Sequence, residues 1–140
     1  MKLEKSFDVR CGRDAAVAAL ASEETLLGLF PDTKSEIVSR ESGRTTVRTH
    51  YRALGQEGTA TFHFRFEPSG SVRFEKVCDG RVWRQLAGEV SFAPRGVRTR
   101  VCIEMEGRTK AFVPELAIRV PMREQLEKMA SAIRERLESL

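Results

Sequence analysis

The 140-residue chain has no asparagine, a single tryptophan, a single tyrosine and three cysteines, and its 18 arginines stand beside only 6 lysines. Cys11, Cys78 and Cys102 are odd in number and share no CxxC spacing, which argues against a disulfide framework and a zinc ribbon. No apolar run approaches the roughly 18 residues that span a bilayer. The first residues, Met1 to Ser6, hold no apolar signal core, so the expected compartment is the cytoplasm. There is no GxSxG, no glycine-rich phosphate loop, no cysteine placed near a histidine and no evident pair of catalytic carboxylates. No catalytic residue, metal ligand or cofactor is therefore expected. No repeat or Pro/Gly/Ser linker divides the chain, so residues 1–140 read as one domain.

What remains is an ordinary globular composition: 41% hydrophobic and 31% charged residues in 15.8 kDa. That is enough to bury a core without staples. The net charge is +4, and its excess lies mid-chain. Residues 40–113 carry 14 basic and 8 acidic side chains, whereas residues 114–140 balance at 5 and 5.

Leu3, Phe7 and Val9 alternate with polar residues, as in a strand with one buried face. Asp14 is placed to cap a short helix through Leu20, and Ser22 a second through Phe30, closed by Pro31. From Glu36 to Phe112 the period is two, broken at Ser42-Gly43, Gly55 to Gly58, Pro68 to Gly70, Asp79-Gly80 and Pro94 to Gly96; this predicts six further strands in an antiparallel meander. After Pro121, Met122, Leu126, Met129, Ile133, Leu137 and Leu140 form the stripe of one long amphipathic helix. A single helix and a single sheet can bury their apolar faces only against each other. The fold class is α+β: a curved seven-stranded sheet around a C-terminal helix, with two short helices between strands 1 and 2.

Four features carry a family resemblance: Arg13-Asp14-Ala15-Ala16-Val17, the Leu29-Phe30-Pro31 stop, the run from Gly88 to Thr99 with its Pro94 and Gly96, and Val113-Pro114-Glu115-Leu116 followed by Pro121. With the element order, they resemble the START-like (SRPBCC) helix-grip superfamily of polyketide cyclases and Bet v 1-like proteins, in particular its uncharacterised bacterial and plastid members. The resemblance implies a pocket for an apolar small molecule or lipid. It carries no catalytic residue, since members differ in activity.

Glycine-ended turns fix expected registers. Ile37 should face Val47, Phe66 face Val72, Val72 face Leu86, and Leu86 face Ile103. The inner face then carries Val47, Phe62, Phe64, Phe66, Phe74, Leu86, Val101, Ile103 and Met105. Three polar residues interrupt it: Arg84 between Phe74 and Met105, Lys76 beside Phe62, and Tyr51 across from Phe62. An inward cation needs an anion, water or an exit to solvent. Arg84 and Lys76, with the Tyr51 hydroxyl, could hold an anionic head group; alternatively Arg84 pairs with an internal Glu such as Glu115 or snorkels outward. The expected ligand site comprises Tyr51, Phe62, Phe64, Phe74, Lys76, Arg84, Met105, Met122 and Met129. The expected partner is a small apolar or amphipathic ligand.

On the outer face Arg48, Arg65 and Arg73 are predicted side by side, followed by Gln85. Such a row could meet phosphates, but the absence of a Lys/Arg run and the single aromatic there, Trp83, argue against nucleic acid. His50, His63 and Glu75 are expected to be neighbours, as an exposed contact rather than a metal site. Two alternatives stay open beside ligand binding. One is a cyclase/aromatase- or hydrolase-type enzyme in which Tyr51, Lys76 or Arg84 polarises a carbonyl. The other is an interaction module using Trp83 and the arginine face, in a monomer or homodimer.

Overall fold

A computed structural model describes residues 1–30, 33–53, 56–78 and 81–140. Strand β1 (Lys2–Val9) leads through helices α1 (Arg13–Leu20) and α2 (Glu23–Leu27) into six strands. These are β2 (Lys34–Glu41), β3 (Arg44–Ala53), β4 (Gln56–Phe66), β5 (Val72–Lys76), β6 (Trp83–Arg95) and β7 (Arg98–Thr109), and helix α3 (Glu115–Glu138) follows. All neighbours are antiparallel, in the order β1-β7-β6-β5-β4-β3-β2. This is the α+β helix-grip arrangement. Leu3, Phe7, Val101, Ile103 and Met105 from the sheet share one buried cluster with Leu26, Met129 and Ile133 from the helices.

Local chemistry explains most element boundaries. Ser22 caps α2, its hydroxyl accepting from the Thr25 amide at 3.2 Å. That helix ends at Leu27, and Leu29 and Phe30 are buried beyond it. Helix α1 departs from expectation: the extended residue Gly12 is its N-cap, and Asp14 lies inside the first turn without capping it. There the carboxylate still favours the positive end of the helix dipole. Pro31, Gly55 and the Asp79-Gly80 turn, which were expected to break the chain, fall outside the described residues.

The register of β4 with β5 matches the sequence: Phe66 pairs with Val72 across a loop ended by Gly70 at φ +94°. Ile37 also faces Val47, by another route, because a tighter turn with Glu41 opposite Arg44 is offset by a bulge at Val38. Three registers differ. Tyr51 pairs with Gly58 and Val47 with Phe62, so β4 lies four residues from its expected position along β3. Val72 pairs with Val90, not Leu86, and Ile103 also pairs with Val90. The cause at one end is the turn: Arg95 faces Arg98 across Gly96-Val97, with Gly96 at φ +64°, rather than a reversal at Pro94-Arg95. A two-residue hairpin with left-handed glycine at its first central position suits the twist of the strands. Strand β6 alone is therefore displaced between β5 and β7, which keep their expected alignment. Four residues is about 13 Å at roughly 3.3 Å per residue.

Helix α3 starts at Glu115, six residues before the expected Pro121, which sits inside it. The Ala117 carbonyl that loses an amide partner at Pro121 lies in an exposed turn open to water. No helix of the described residues is long and apolar enough to cross a membrane.

Candidate functional site

The space between the sheet and α3 is occupied by a file of phenyl rings. Phe30 stacks on Phe62 at 5.0 Å between centroids; Phe62 lies 6.4 Å from Phe64, and Phe64 lies 6.1 Å from Phe74. These separations are those of favourable aromatic pairs. Phe62, Phe64 and Phe74, with Met105, Met122 and Met129, are all buried, none more than 8% exposed. Period-two and helical spacing had placed all six inward. Phe30 carries no such periodic signal, because it lies beyond the end of α2 at Leu27.

The three polar positions lie differently from expectation. Tyr51 is 39% exposed and lies over Gly58, where any Cβ would come within 2.7 Å of the phenol. Glycine there makes room for the ring. Lys76 faces Phe62 as expected, half-buried in the last residue of β5. Arg84 does not lie between Phe74 and Met105: Gly88 pairs with both. The Phe74 ring fills the space a side chain would need, with Cζ 2.2 Å from a Cβ built on Gly88. Arg84 is exposed in a bulge where the β6–β7 register shifts between Trp83 and Gln85. That same bulge turns Trp83 inward, packed on the core over Gly107 rather than on the outer face. No side chain of the described residues pairs with Arg84, so the alternative pairing with Glu115 is absent as well; Glu115 instead meets the N-terminal amine at 3.7 Å.

The outer face of the sheet holds a groove of about 700 Å³, lined in part by Arg44, His63, Arg65, Arg73, Glu89 and Glu104. Its arginine row is Arg44, Arg65 and Arg73, because the β3–β4 register moves Arg48 opposite Thr61. The next residue is Glu89, not Gln85, and Glu104 and Glu4 continue the row. Glutamates answer part of this positive charge: Arg44 meets Glu41 at 2.9 Å, and Arg73 meets Glu89 at 3.5 Å and Glu67 at 3.9 Å. The Arg44 Nε is buried without a partner, while Arg65 forms no ion pair among the described residues. Cross-strand like charges remain tolerable here because their heads reach solvent.

The histidines do not form a cluster. His63 pairs with Glu75 in register, but its Nδ1 bonds to the Thr46 hydroxyl at 2.8 Å. His50 lies further along β3 and meets Glu36 at 3.2 Å. The slip of β4 along β3 separates them. Glu4, Cys102 and Glu104 instead lie close together on the outer face. Burial, with the neighbouring glutamates, pushes the Cys102 thiol above its ordinary value, so it stays protonated near neutrality.

No family model and no curated protein matches the sequence. The fold does match solved structures, and it is the START-like helix-grip fold. A Thermus thermophilus protein is 18% identical over 99% of this chain and 98% of its own, with a TM-score of 0.81. The Zhui aromatase/cyclase of a Streptomyces species is 19% identical over 99% of this chain and 92% of its own, TM-score 0.77. A STAR-related lipid transfer protein fragment from Xanthomonas axonopodis is 15% identical over 97% of this chain and 85% of its own, TM-score 0.70. At these identities the likeness concerns architecture.

Proposed function

We propose that the chain binds a small apolar or amphipathic molecule, of lipid or polyketide-like chemistry, between the sheet and α3. The observation that carries this reading is the file from Phe30 to Phe74, continued by Met105, Met122 and Met129. It is supported by a fold shared with proteins named as an aromatase/cyclase and a lipid-transfer protein. With those side chains closely packed, a ligand enters by displacing them, and unbranched methionines repack at low cost. Lys76, half-buried beside Phe62, supplies a cation for an acidic head group, and the half-exposed Tyr51 a hydroxyl. Arg84, exposed in its bulge, drops out of this site.

A fluorescent fatty-acid analogue and its neutral methyl ester test the reading. Saturable binding of both at one per chain, with native mass spectrometry confirming the stoichiometry, is the expected result. Lys76→Met should weaken the acid about tenfold and leave the ester unchanged, the scale of one charge-assisted hydrogen bond. Absence of saturable binding by both methods sinks the proposal.

A further inference from the structure

Between the end of β7 and the buried part of α3, the sequence from Ala111 to Pro121 is apolar apart from Glu115 and Arg119, yet it covers little of the core. Phe112 is fully exposed and Leu116 is 82% exposed, with Val120 one helical turn beyond. Scattered exposed apolar residues need no explanation; a contiguous patch does. Phe112 is also the one non-glycine residue at positive φ among those described, at +70°. That conformation is costly for a bulky side chain and here holds the ring out into solvent.

The charge around the patch is predominantly positive: five cations stand against Glu115 and the exposed Glu124, which lies one turn beyond Val120. Lys110 donates its amide to the Val82 carbonyl at 2.8 Å, and Gln85 pairs with Arg108, which brings the Arg84 bulge to this corner. On α3, Leu116, Arg119, Val120 and Arg123 recur at i, i+3, i+4 and i+7, one stripe set roughly a quarter turn from the buried one. The side chains of Arg84, Arg108, Lys110, Arg119 and Arg123 form no ion pair among the described residues. The acidic Glu115 is engaged by the N-terminal amine. An exposed apolar stretch with an excess of unpaired cations beside it is complementary to a bilayer surface bearing anionic lipid: apolar side chains enter the acyl boundary while Lys and Arg meet head groups. A protein partner would instead be expected to offer carboxylates to specific arginines, and nothing in the patch fixes such partners in place.

We propose that the corner formed by Phe112, Leu116 and Val120, with the excess of basic residues beside it, docks the protein on anionic lipid surfaces. This surface is separate from the interior site and stands whether or not that site is occupied.

Co-sedimentation with vesicles of phosphatidylglycerol and phosphatidylcholine, against phosphatidylcholine alone, tests it. The chain should bind the mixed vesicles at least about tenfold more strongly than the neutral ones, and added salt should release it. The double variant Phe112→Asp/Leu116→Asp should lose that binding. Lys110→Glu/Arg119→Glu should weaken it by about tenfold or more. All four side chains are exposed, so circular dichroism and melting should confirm unchanged folding. Equal retention on both vesicle types, or undiminished binding by either variant, overturns the proposal. So does a dimer in sedimentation velocity that the aspartate pair disperses, since the occupant would then be a second copy.

Discussion

The two parts of α3 belong to one continuous helix and do opposite things with their apolar residues. From Met122 onward, Met122, Leu126, Met129, Ala130, Ile133 and Leu137 are all buried at helical spacing. Over the first two turns, from Glu115 to Pro121, only Ile118 is even half-buried, although Leu116, Ala117 and Val120 are equally apolar. The helix continues beyond its support. No side chain caps its first turn, and Pro121 removes one amide donor at the junction. Hydrophobic character alone therefore does not mark the core; a partner surface must lie opposite, and the sheet supplies one only to the second part.

The largest expected effect comes from opening the supported part. Ile133 is fully buried, and Ile133→Ala should cost about 2–5 kcal/mol, from lost transfer energy and a residual cavity. Chemical denaturation with an unchanged m-value would measure it. A loss well below 1 kcal/mol would mean that the interior is loose and that the contrast within α3 is overstated. The sheet wall should be similarly unforgiving at Gly88. A Cβ there meets Phe74 Cζ at 2.2 Å and the Glu104 carbonyl oxygen at 2.5 Å. The second atom belongs to the backbone and cannot rotate away. Gly88→Ala is expected to destabilise by about 1–3 kcal/mol, the usual cost of overpacking; a neutral result would show that β6 and β7 can separate there.

Gly88 also shows what the sequence could and could not reveal. Period-two alternation placed Phe62, Phe64, Phe74 and Met105 inward correctly, because each strand's inner face depends only on parity. The displaced registers all moved by four residues, an even number, so these slips by themselves turned no side chain to the other face; an odd slip would have exposed the core and is strongly disfavoured. Hydrophobicity cannot distinguish registers that differ by an even number. Turn geometry must do so, and the Gly96-Val97 reversal was misassigned by two positions. The core was therefore legible while cross-strand neighbours were not. Arg84 was assigned to the place that Gly88 occupies, Tyr51 was set against Phe62, and the two histidines were brought together. Arg84 was further concealed by a bulge, which adds one residue and does break parity. The exposed start of α3 was illegible for another reason. Pro121 resembles a helix start, and no local pattern reveals that the helix begins two turns earlier.

A smaller effect is expected at the junction. Pro121→Ala restores a donor for the Ala117 carbonyl and removes the ring's clash with the preceding turn. The local gain is at most about 3 kcal/mol, the interior penalty of proline relative to alanine. Little of it should reach global stability, since these turns bury almost nothing; a rise below about 1 kcal/mol is expected. Native-state hydrogen exchange reads the local part directly, as increased protection of amides 118–120. If protection stays at the level of the parent chain, the proline is not what loosens the first two turns.

The smallest predicted effect is the most discriminating. Leu116→Ser removes a large apolar side chain from a helix that elsewhere depends on such residues. With 82% of Leu116 exposed, there is little buried area to lose and no cavity to leave. Serine is a somewhat poorer helix former than leucine, by a few tenths of a kcal/mol, and the expected change stays within about 0.5 kcal/mol. Paired with Ile133→Ala in the same denaturant series, this isolates position along one helix as the variable. A loss at Leu116 comparable to that at Ile133 would mean that the first turns pack against the protein in solution, and the distinction between the supported and unsupported parts of α3 would fail. A null result at Leu116 leaves its apolar surface unexplained by folding stability, which is the condition for assigning it to an encounter outside the chain.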